Sequence, residues 1–157
     1  MITVDFETYY SKDFGFRKLT TEQYVRSPDF EVIGVAIKVN DGDTVWLSGD
    51  YETLKTYLRD NYDWANSAVL AHNTLFDGAI LDWLFNIRPK IYFDTLSMGR
   101  AIHGVDAGAS LKALSEMYGI GQKGDEVVKA EGKRRVDFTE EELGSYGDYC
   151  GNNIDLV

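Results

Sequence analysis

The chain is poor in the residues that build disulfide frameworks and flexible linkers. Its 157 residues include one cysteine, Cys150, and only two prolines. One thiol cannot form an internal disulfide, so an intracellular setting is the default expectation. The few prolines and the lack of a low-complexity run argue against a disordered tail or a long linker. A chain of this length suits one domain with one hydrophobic core.

Long apolar runs are also missing from the sequence. No apolar stretch is long enough to span a membrane. The first five residues, Met-Ile-Thr-Val-Asp, lack the basic start and the apolar core of a signal peptide. We therefore expect no membrane partner for this chain.

Basic residues are scarce relative to acidic ones. The sequence has 16 Lys and Arg against 26 Asp and Glu, which gives a net charge of −10. Taken alone, this balance counts against a nucleic-acid binder, because such proteins usually present a basic surface. Bound divalent cations would reverse the local field, since they can be the largest charges in a site. The acidity therefore excludes nucleic-acid binding only if the chain has no metal site.

The order of apolar patterns, caps and turns predicts an α/β domain with a mixed central sheet. Strands are predicted at 2–6, 31–39, 44–47, 67–71 and 90–93, the second and third forming a hairpin around a turn at 41–43. Helices are predicted at 19–27, 50–61, 75–85, 94–103 and 110–118, and from Thr139 onward. Capping residues are expected at Thr20 or Thr21, Asp94, Ser110 and Thr139. The segment 121–135, rich in glycine and charge, is expected to be irregular.

The first candidate functional segment is the end of the first strand. Asp5 and Glu7 alternate along it, so both carboxylates point to the same face of the sheet. Two like charges directly after an apolar run cost folding energy unless a cation lies between them. A metal site is one interpretation of this pair, and a solvated strand end is the other.

The second candidate segment leads from a buried strand into a helix. Asp77 lies four residues after Asn73, in the first turn of that helix. The plain structural interpretation makes Asn73 the N-cap and Asp77 a favourable charge near the positive end of the helix dipole. A functional role for both residues is compatible with this interpretation.

The third candidate segment is the last helix. Tyr149 and Asn153 are four residues apart, so they share one face of it. By itself, this spacing also suits a surface helix with one aromatic side chain in the core.

Together the three segments resemble the motifs of the DEDD exonuclease superfamily. The matching residues here are Asp5 and Glu7 on the first strand, Asn73-Thr74-Leu75-Phe76-Asp77 at the start of a central helix, and Tyr149 four residues before Asn153. The tyrosine is typical of the DEDDy branch, found in the proofreading domains of family A DNA polymerases. Residues 24–34, and the stretch from Asp94-Thr95-Leu96 through residues 110–114, are similar to phage-type members of that family. The resemblance covers nearly the whole chain and implies a ribonuclease H-like fold.

The resemblance implies a 3′→5′ proofreading exonuclease that releases nucleoside 5′-monophosphates from a single-stranded or frayed 3′ DNA end. It also implies a polymerase domain in the same parent chain and a phage protein acting in the cytoplasm of the host cell. Residues 1–157 are then expected to form one exonuclease domain excised from a longer DNA polymerase, because no helix-stop signal follows the last apolar residues.

The cofactors implied by the resemblance are two Mg²⁺ or Mn²⁺ ions, roughly 4 Å apart, that clamp the scissile phosphate. Asp5 would bridge both ions, Glu7 and residue 153 would complete the first site, and Asp77 would support the second. Tyr149 would orient the attacking water. The candidate catalytic residues are thus Asp5, Glu7, Asp77, Tyr149 and Asn153, and the candidate metal ligands are Asp5, Glu7, Asp77 and Asn153.

Several residues beside the acids are candidates for contacts with the terminal base and sugar, namely Phe6, Thr8, Asn73, Leu75 and Phe76. Stacking on aromatic rings tolerates any base, as an editing site requires. Core packing is an equally good interpretation of Phe6 and Phe76. The densest basic run is formed by Lys129, Lys133, Arg134 and Arg135. This run either holds phosphates of the incoming strand or forms a solvated loop.

The sequence departs from the family pattern at its fourth acidic position. The family has Asp four residues after the tyrosine, where this chain has Asn153. Asp155 lies off that face of the helix, and Asp148 has no aromatic partner four residues before it. Asn153 lacks the negative charge and one good metal-ligand oxygen, so we expect weak binding of the first ion and slow hydrolysis. Deliberate inactivation and natural loss of activity both explain the change, and the three retained acids favour the former.

Two other functions remain open at this point. One is a stand-alone RNA-trimming exonuclease of the same superfamily. The other, from a different functional class, is a non-catalytic module that binds single-stranded nucleic acid. The substrate and the effect of Asn153→Asp distinguish these alternatives.

Overall fold

The domain is built on a mixed sheet of five strands. A computed structural model describes residues 1–121 and 130–157. The strands are β1 (Ile2–Thr8), β2 (Val32–Val39), β3 (Thr44–Leu47), β4 (Ala68–Ala71) and β5 (Ile91–Asp94). Their order in the sheet is β3-β2-β1-β4-β5. The first three pair antiparallel, whereas β4 runs parallel to β1 and β5 runs parallel to β4. The predicted α/β architecture with a mixed sheet is confirmed.

The described residues form six α-helices, which are α1 (Thr21–Val25), α2 (Tyr51–Asn61), α3 (Thr74–Ala79), α4 (Thr95–His103), α5 (Leu111–Tyr118) and α6 (Glu140–Leu156). The side chains of Thr20, Asp94, Ser110 and Thr139 cap α1, α4, α5 and α6, as predicted. The predicted helix at 75–85 is wrong in one detail, because α3 passes into a π-helical turn at Ile80–Leu84. Among these helices, none has the length and apolar character needed to cross a bilayer.

The two faces of the sheet bury separate apolar clusters. One face packs against α1, α2 and the α3 region through residues such as Val4, Leu54 and Ile80. The other face packs against α6, and its cluster includes Ile33 and Tyr146. Strand β1, at the centre of the sheet, therefore lies between two packed layers, which fix its position from both sides.

Helix α6 approaches the sheet closely at one tryptophan. A Cβ atom at Gly34 of β2 would lie 2.4 Å from the Trp46 side chain, and a Cβ atom at Gly147 of α6 would lie 2.6 Å from it. Contacts this short do not occur in folded proteins, so the indole fits only because both positions are glycine. Lys38 of β2 adds an ion pair of 2.7 Å with Asp155 near the end of α6.

Candidate functional site

Strand β1 directs Asp5 and Glu7 toward α6. The buried side chains of Val4 and Phe6 join the apolar cluster on the opposite face, and the two acids between and after them are only partly buried. The register with β2 shifts between Glu7 and Thr8, which ends the regular pairing directly after the second acid. The strand's period of two residues therefore places both carboxylates side by side, as predicted.

Helix α6 brings three side chains to these acids. The Tyr146 hydroxyl donates to Glu7 Oε2 at 2.7 Å, and the Cys150 thiol lies 3.3 Å from Glu7 Oε1. Asn153 Nδ2 donates to Asp5 Oδ2 at 3.1 Å. Burial, followed by the charge of Glu7, raises the pKa of both Tyr146 and Cys150. Both groups therefore stay protonated and act as hydrogen-bond donors that hold Glu7 in place.

Asp77 completes the group of acids from the first turn of α3. Its side chain is only 3% exposed, and its Oδ1 accepts a hydrogen bond from the Phe6 backbone N–H at 3.1 Å. Burial raises the pKa of this carboxyl well above its usual range, and the nearby charge of Asp5 raises it further. A buried anion next to two other acids is costly unless a cation compensates it.

The side-chain oxygen of Asn153 lacks a hydrogen-bond partner among the described residues. The side chain is 5% exposed, and its Oδ1 is buried. Buried polar atoms are nearly always satisfied by a protein group, water or an ion. A divalent cation between Asp5, Glu7 and Asn153 would supply a partner for this oxygen and neutralise the acids at once.

The donor atoms fit a hard cation. Ligand atoms of Asp5, Glu7 and Cys150 lie within 4.8 Å of one another. Carboxylate and amide oxygens are the ligands that Mg²⁺ and Mn²⁺ prefer, whereas a protonated thiol is a poor ligand for them. The acids together with Asn153 thus form the donor set for such an ion, and Cys150 serves Glu7 as a hydrogen-bond donor.

Asn73 occupies the N-cap position of α3, but its side chain makes no capping hydrogen bond. The expectation of a side-chain cap there is wrong, because the backbone of Asn73 is left-handed with φ of 71°. Asp94 supplies the cap instead, accepting from the backbone N–H groups of Asn73 at 2.8 Å and Thr74 at 3.2 Å. The exposed Asn73 side chain is therefore not used to start the helix.

The other candidate substrate contacts differ in exposure. Phe6 is 4% exposed and stacks on Phe85, which agrees with the core-packing interpretation. Thr8 is also buried, and its hydroxyl hydrogen-bonds with the Tyr24 hydroxyl at 3.0 Å. Phe76 is half-buried, and Leu75 is 66% exposed. Leu75, Phe76 and Asn73 are thus the candidates that reach the surface.

The predicted basic run is largely engaged within the protein. Lys133 pairs with Glu142, and Arg134 pairs with Glu31 at 2.8 Å. The Arg135 side chain donates to a serine hydroxyl, and its backbone N–H donates to Glu31. Lys129, the fourth member, lies outside the described residues. These contacts fix the segment before α6, so the interpretation as a solvated loop is wrong for these three residues.

Sequence reasoning missed two residues that contact Glu7. Tyr149, the predicted tyrosine, lies with its ring 6.5 Å from that of Tyr146, whereas Tyr146 itself contacts the acid. The signal that would have found Tyr146 and Cys150 is their spacing with Asn153. Residues four and seven positions apart on a helix form one stripe, and this stripe faces β1.

Comparison with known proteins places the fold. No protein-family model and no curated protein matches the chain. Among solved structures, NrnC of Brucella melitensis matches with 16% identity and a TM-score of 0.62 over 98% of this chain, and has also been solved bound to pGG and with bound Mg²⁺. The match spans 66% of NrnC, just under two thirds of its length. The catalytic core of RRP6 from Trypanosoma brucei matches with 12% identity and a TM-score of 0.58, over 99% of this chain and 38% of that one. The chain therefore shares the α/β fold of these proteins, a ribonuclease H-like fold with a mixed sheet flanked by helices.

Proposed function

We propose that this chain is a metal-dependent 3′→5′ exonuclease domain whose activity is impaired by Asn153. The observation that carries the proposal is the convergence of Asp5, Glu7 and Asp77 with Asn153, from three elements distant in sequence, at one end of β1. Packing alone gives no reason to place two further acids beside the buried carboxyl of Asp77. A site for divalent cations does.

Asp5, Glu7, Asp77 and Asn153 would hold the ions in this proposal. Bound there, two divalent cations would supply Lewis-acid stabilisation of the phosphate and a water of lowered pKa. The protein's own contribution is orientation. Tyr146 and Cys150 hold Glu7 by hydrogen bonds, and Tyr149 is proposed to orient the attacking water.

The bond changes follow from this arrangement. The water oxygen forms a bond to the phosphorus of the terminal phosphodiester, and the bond from phosphorus to the leaving 3′ oxygen breaks. The water's proton passes to solvent, and the leaving 3′ oxygen takes up a proton. The products are a nucleoside 5′-monophosphate and a strand shorter by one nucleotide.

Asn153 weakens this site by removing one negative charge. Its Nδ2 donates to Asp5 Oδ2, so the amide occupies a carboxylate oxygen that a cation would otherwise use. An incoming ion must break this hydrogen bond and gains only a neutral oxygen in return. Weak metal binding and slow hydrolysis follow, while the shape of the site is kept.

DNA is the proposed substrate, with a proofreading role beside a polymerase domain of the same parent protein. The similarity of residues 24–34 to phage-type polymerases supports this choice. An RNA-trimming activity suits the fold equally well, and the NrnC structure bound to pGG supports an oligonucleotide substrate in general. Matched DNA and RNA strands of one sequence therefore belong in the same assay.

The test compares this chain with Asn153→Asp on 5′-labelled single strands in Mg²⁺ or Mn²⁺. We expect the substitution to raise the hydrolysis rate by about 100-fold, the upper range for changes that weaken a metal site. Binding of Mn²⁺, measured by electron paramagnetic resonance, should tighten in parallel. The matched control is Asn152→Asp, which adds the same charge one residue away and should change neither quantity.

Each outcome has a distinct meaning. Stepwise loss of 3′ nucleotides by Asn153→Asp, abolished by adding Asp5→Asn, supports an exonuclease. Equal rates for the chain and Asn153→Asp would show that Asn153 does not impair it. Tight strand binding with no turnover in either protein would overturn the enzymatic proposal and favour a binding module, for which the amide-to-acid hydrogen bond is the supporting observation.

A further inference from the structure

A cleft of about 290 Å³ opens beside the acid cluster. Glu7 lies in both, so the cleft is continuous with the candidate metal centre. Its walls come from the end of β1 and from the segment at 10–18 that follows it, with Phe76 of α3 on one side. Nothing in the predicted set of site residues explains the segment at 10–18. A ligand bound in the cleft would therefore lie next to the acid cluster.

The floor of the cleft is aromatic. Phe16 is 52% exposed, and its ring contacts Tyr24 and Phe76 edge-on, with centroid separations of 5.0 Å in both cases. The two supporting rings hold Phe16 in place while leaving part of it open. An exposed flat ring of this kind suits a nucleobase, because every base can stack on it.

The rim of the cleft carries positive charge. Lys18 pairs with Asp13 at 3.1 Å, whereas Lys12 and Arg17 make no ion pair and no side-chain hydrogen bond within the part of the chain that the structure describes. Both are exposed. Lys12 and Arg17 are therefore available to bind a phosphate group, in a chain whose net charge is −10.

Size and charge together limit the occupant. The volume is near the lower limit of about 300 Å³ for small-molecule pockets, which suits one nucleotide and excludes a duplex. Glu131 also lines the rim and repels phosphate from its own position. The phosphate is thereby confined to the neighbourhood of Lys12 and Arg17.

We propose that this cleft binds one nucleotide of a single strand, with its base on Phe16 and its phosphate between Lys12 and Arg17, and so guides the 3′ end to the acids. The inference rests on the proposed function for the direction of the strand, but the binding itself is independent of hydrolysis. Lys12, Phe16 and Arg17 are positioning residues that determine the preference for single strands.

The test measures binding of a fluorescently labelled thymidine oligonucleotide in Ca²⁺ at several salt concentrations. Lys12→Gln and Arg17→Gln should each weaken binding, and each should lower the slope of log K against log salt by about 0.7, the value for one phosphate contact on a single strand. Lys90→Gln is the matched control, because Lys90 is also an exposed cation but does not line the cleft. It should leave the slope unchanged.

Stacking is tested separately by Phe16→Leu, which keeps apolar bulk over Tyr24 and Phe76 but removes the ring. We expect affinity to fall about fivefold, as for loss of the weaker base–aromatic contacts, with an unchanged salt slope. A duplex of the same sequence should bind more weakly than the single strand, and none of the three substitutions should affect that residual binding.

The results separate this inference from the proposed function. An unchanged salt slope for Lys12→Gln and Arg17→Gln would overturn the proposal that the cleft binds a nucleotide, even if Asn153→Asp hydrolyses strands. Reduced slopes in a protein that never hydrolyses would support the cleft and overturn the enzymatic proposal. Absence of strand binding in Ca²⁺ by both this chain and Asn153→Asp would overturn both proposals.

Discussion

At the scale of single residues, Asp77 combines burial with two acidic neighbours. In the folded protein its carboxyl keeps a proton to higher pH than in the unfolded chain, because its folded pKa is raised. Stability without metal therefore falls as the pH rises from the unfolded value of about 3.9 through the folded pKa. The proposed metal site needs the ionised carboxylate, whereas stability without metal favours the protonated form.

We predict that Asp77→Asn stabilises the metal-free protein at pH 8, by roughly 1–3 kcal/mol, because it removes a buried charge but keeps an oxygen for the Phe6 N–H. The advantage should shrink as the pH falls toward 4 and vanish below about pH 3, where Asp77 is protonated in both states. Thermal melts in EDTA over this pH range measure this. Added Mn²⁺ should stabilise the unaltered chain more than the variant, and a variant that is less stable at pH 8 would contradict the prediction.

The residues of the site could be predicted from sequence only where local pattern decides. Asp5 and Glu7 share a face because strands alternate, and that holds whatever surrounds them. Which stripe of α6 meets the acids depends on how the helix is rotated against the sheet. That rotation is set by the packing of Trp46 against Gly147 and by the burial of Tyr146 and Cys150. Both depend on contacts between residues distant in sequence.

At the scale of elements, the position of α6 depends on a small residue. A Cβ atom at Gly147 would meet the Trp46 indole, so Gly147→Ala must push the helix away from β3. Asn153 and Tyr146 would move with it and lose their hydrogen bonds to the acids. We predict a loss of about 1–3 kcal/mol from overpacking, together with weaker Mn²⁺ binding in the Asn153→Asp background.

Gly144→Ala is the matched control on the same helix, because a Cβ atom there meets no other atom within 4 Å. It should stabilise the protein by up to about 1 kcal/mol through helix propensity and leave Mn²⁺ affinity unchanged. Thermal melts and metal titrations of the two variants compare them directly. Equal metal affinity in both would show that the contact with Trp46 does not position the site.

Element boundaries were predictable where a capping residue marks them. Thr139 with Glu142, and Ser110 with Gly119, start or stop their helices through hydrogen bonds between near neighbours. The π-helical turn after α3 and the left-handed backbone of Asn73 have no comparable local signal. Both occur where α3 packs against β1, β4 and β5, so tertiary packing decides them.

At the scale of the whole molecule, the net charge makes the proposed nucleic-acid binding depend on bound cations. A chain of net charge −10 repels a polyanion, and the cleft offers few cations against that field. We predict that affinity for a single strand falls at least about tenfold when Ca²⁺ is replaced by EDTA, because the acids then lose their compensating ions.

Fluorescence anisotropy at constant ionic strength measures this effect, with NaCl added to match the salt in both buffers. A monovalent cation should not replace Ca²⁺. Affinity that is equal in EDTA and Ca²⁺ would contradict the prediction and show that binding is independent of the acid cluster.

The fold class was predictable from the order of elements, since a strand, a hairpin and then alternating helices and strands leave few ways to build one sheet. The β2–β3 hairpin must be antiparallel, and β4 and β5, which are joined through α3, run parallel. The antiparallel pairing of β1 with β2 does not follow from the order of elements, because α1 lies between these strands. The register of the strands and the volume of the cleft could not be predicted, because they depend on side chains that meet only in the folded protein.

The central place of β1 has a consequence for motion. Its backbone pairs with β2 along the strand and with β4 at Ile2 and Thr3, and the Phe6 N–H donates to the buried Asp77, so we expect its amide hydrogens to exchange slowly with solvent. The segment at 11–19 is instead held largely by bonds between near neighbours, such as Ser11 with Phe14 and Leu19 with Gly15. Phe14 and Phe16 of this segment pack against Tyr24, so we expect its amides to exchange faster than those of β1 but within the limit that these contacts set. If the proposed cleft binds a strand, the wall formed by this segment is then expected to open at a lower free-energy cost than the strand that carries Asp5 and Glu7.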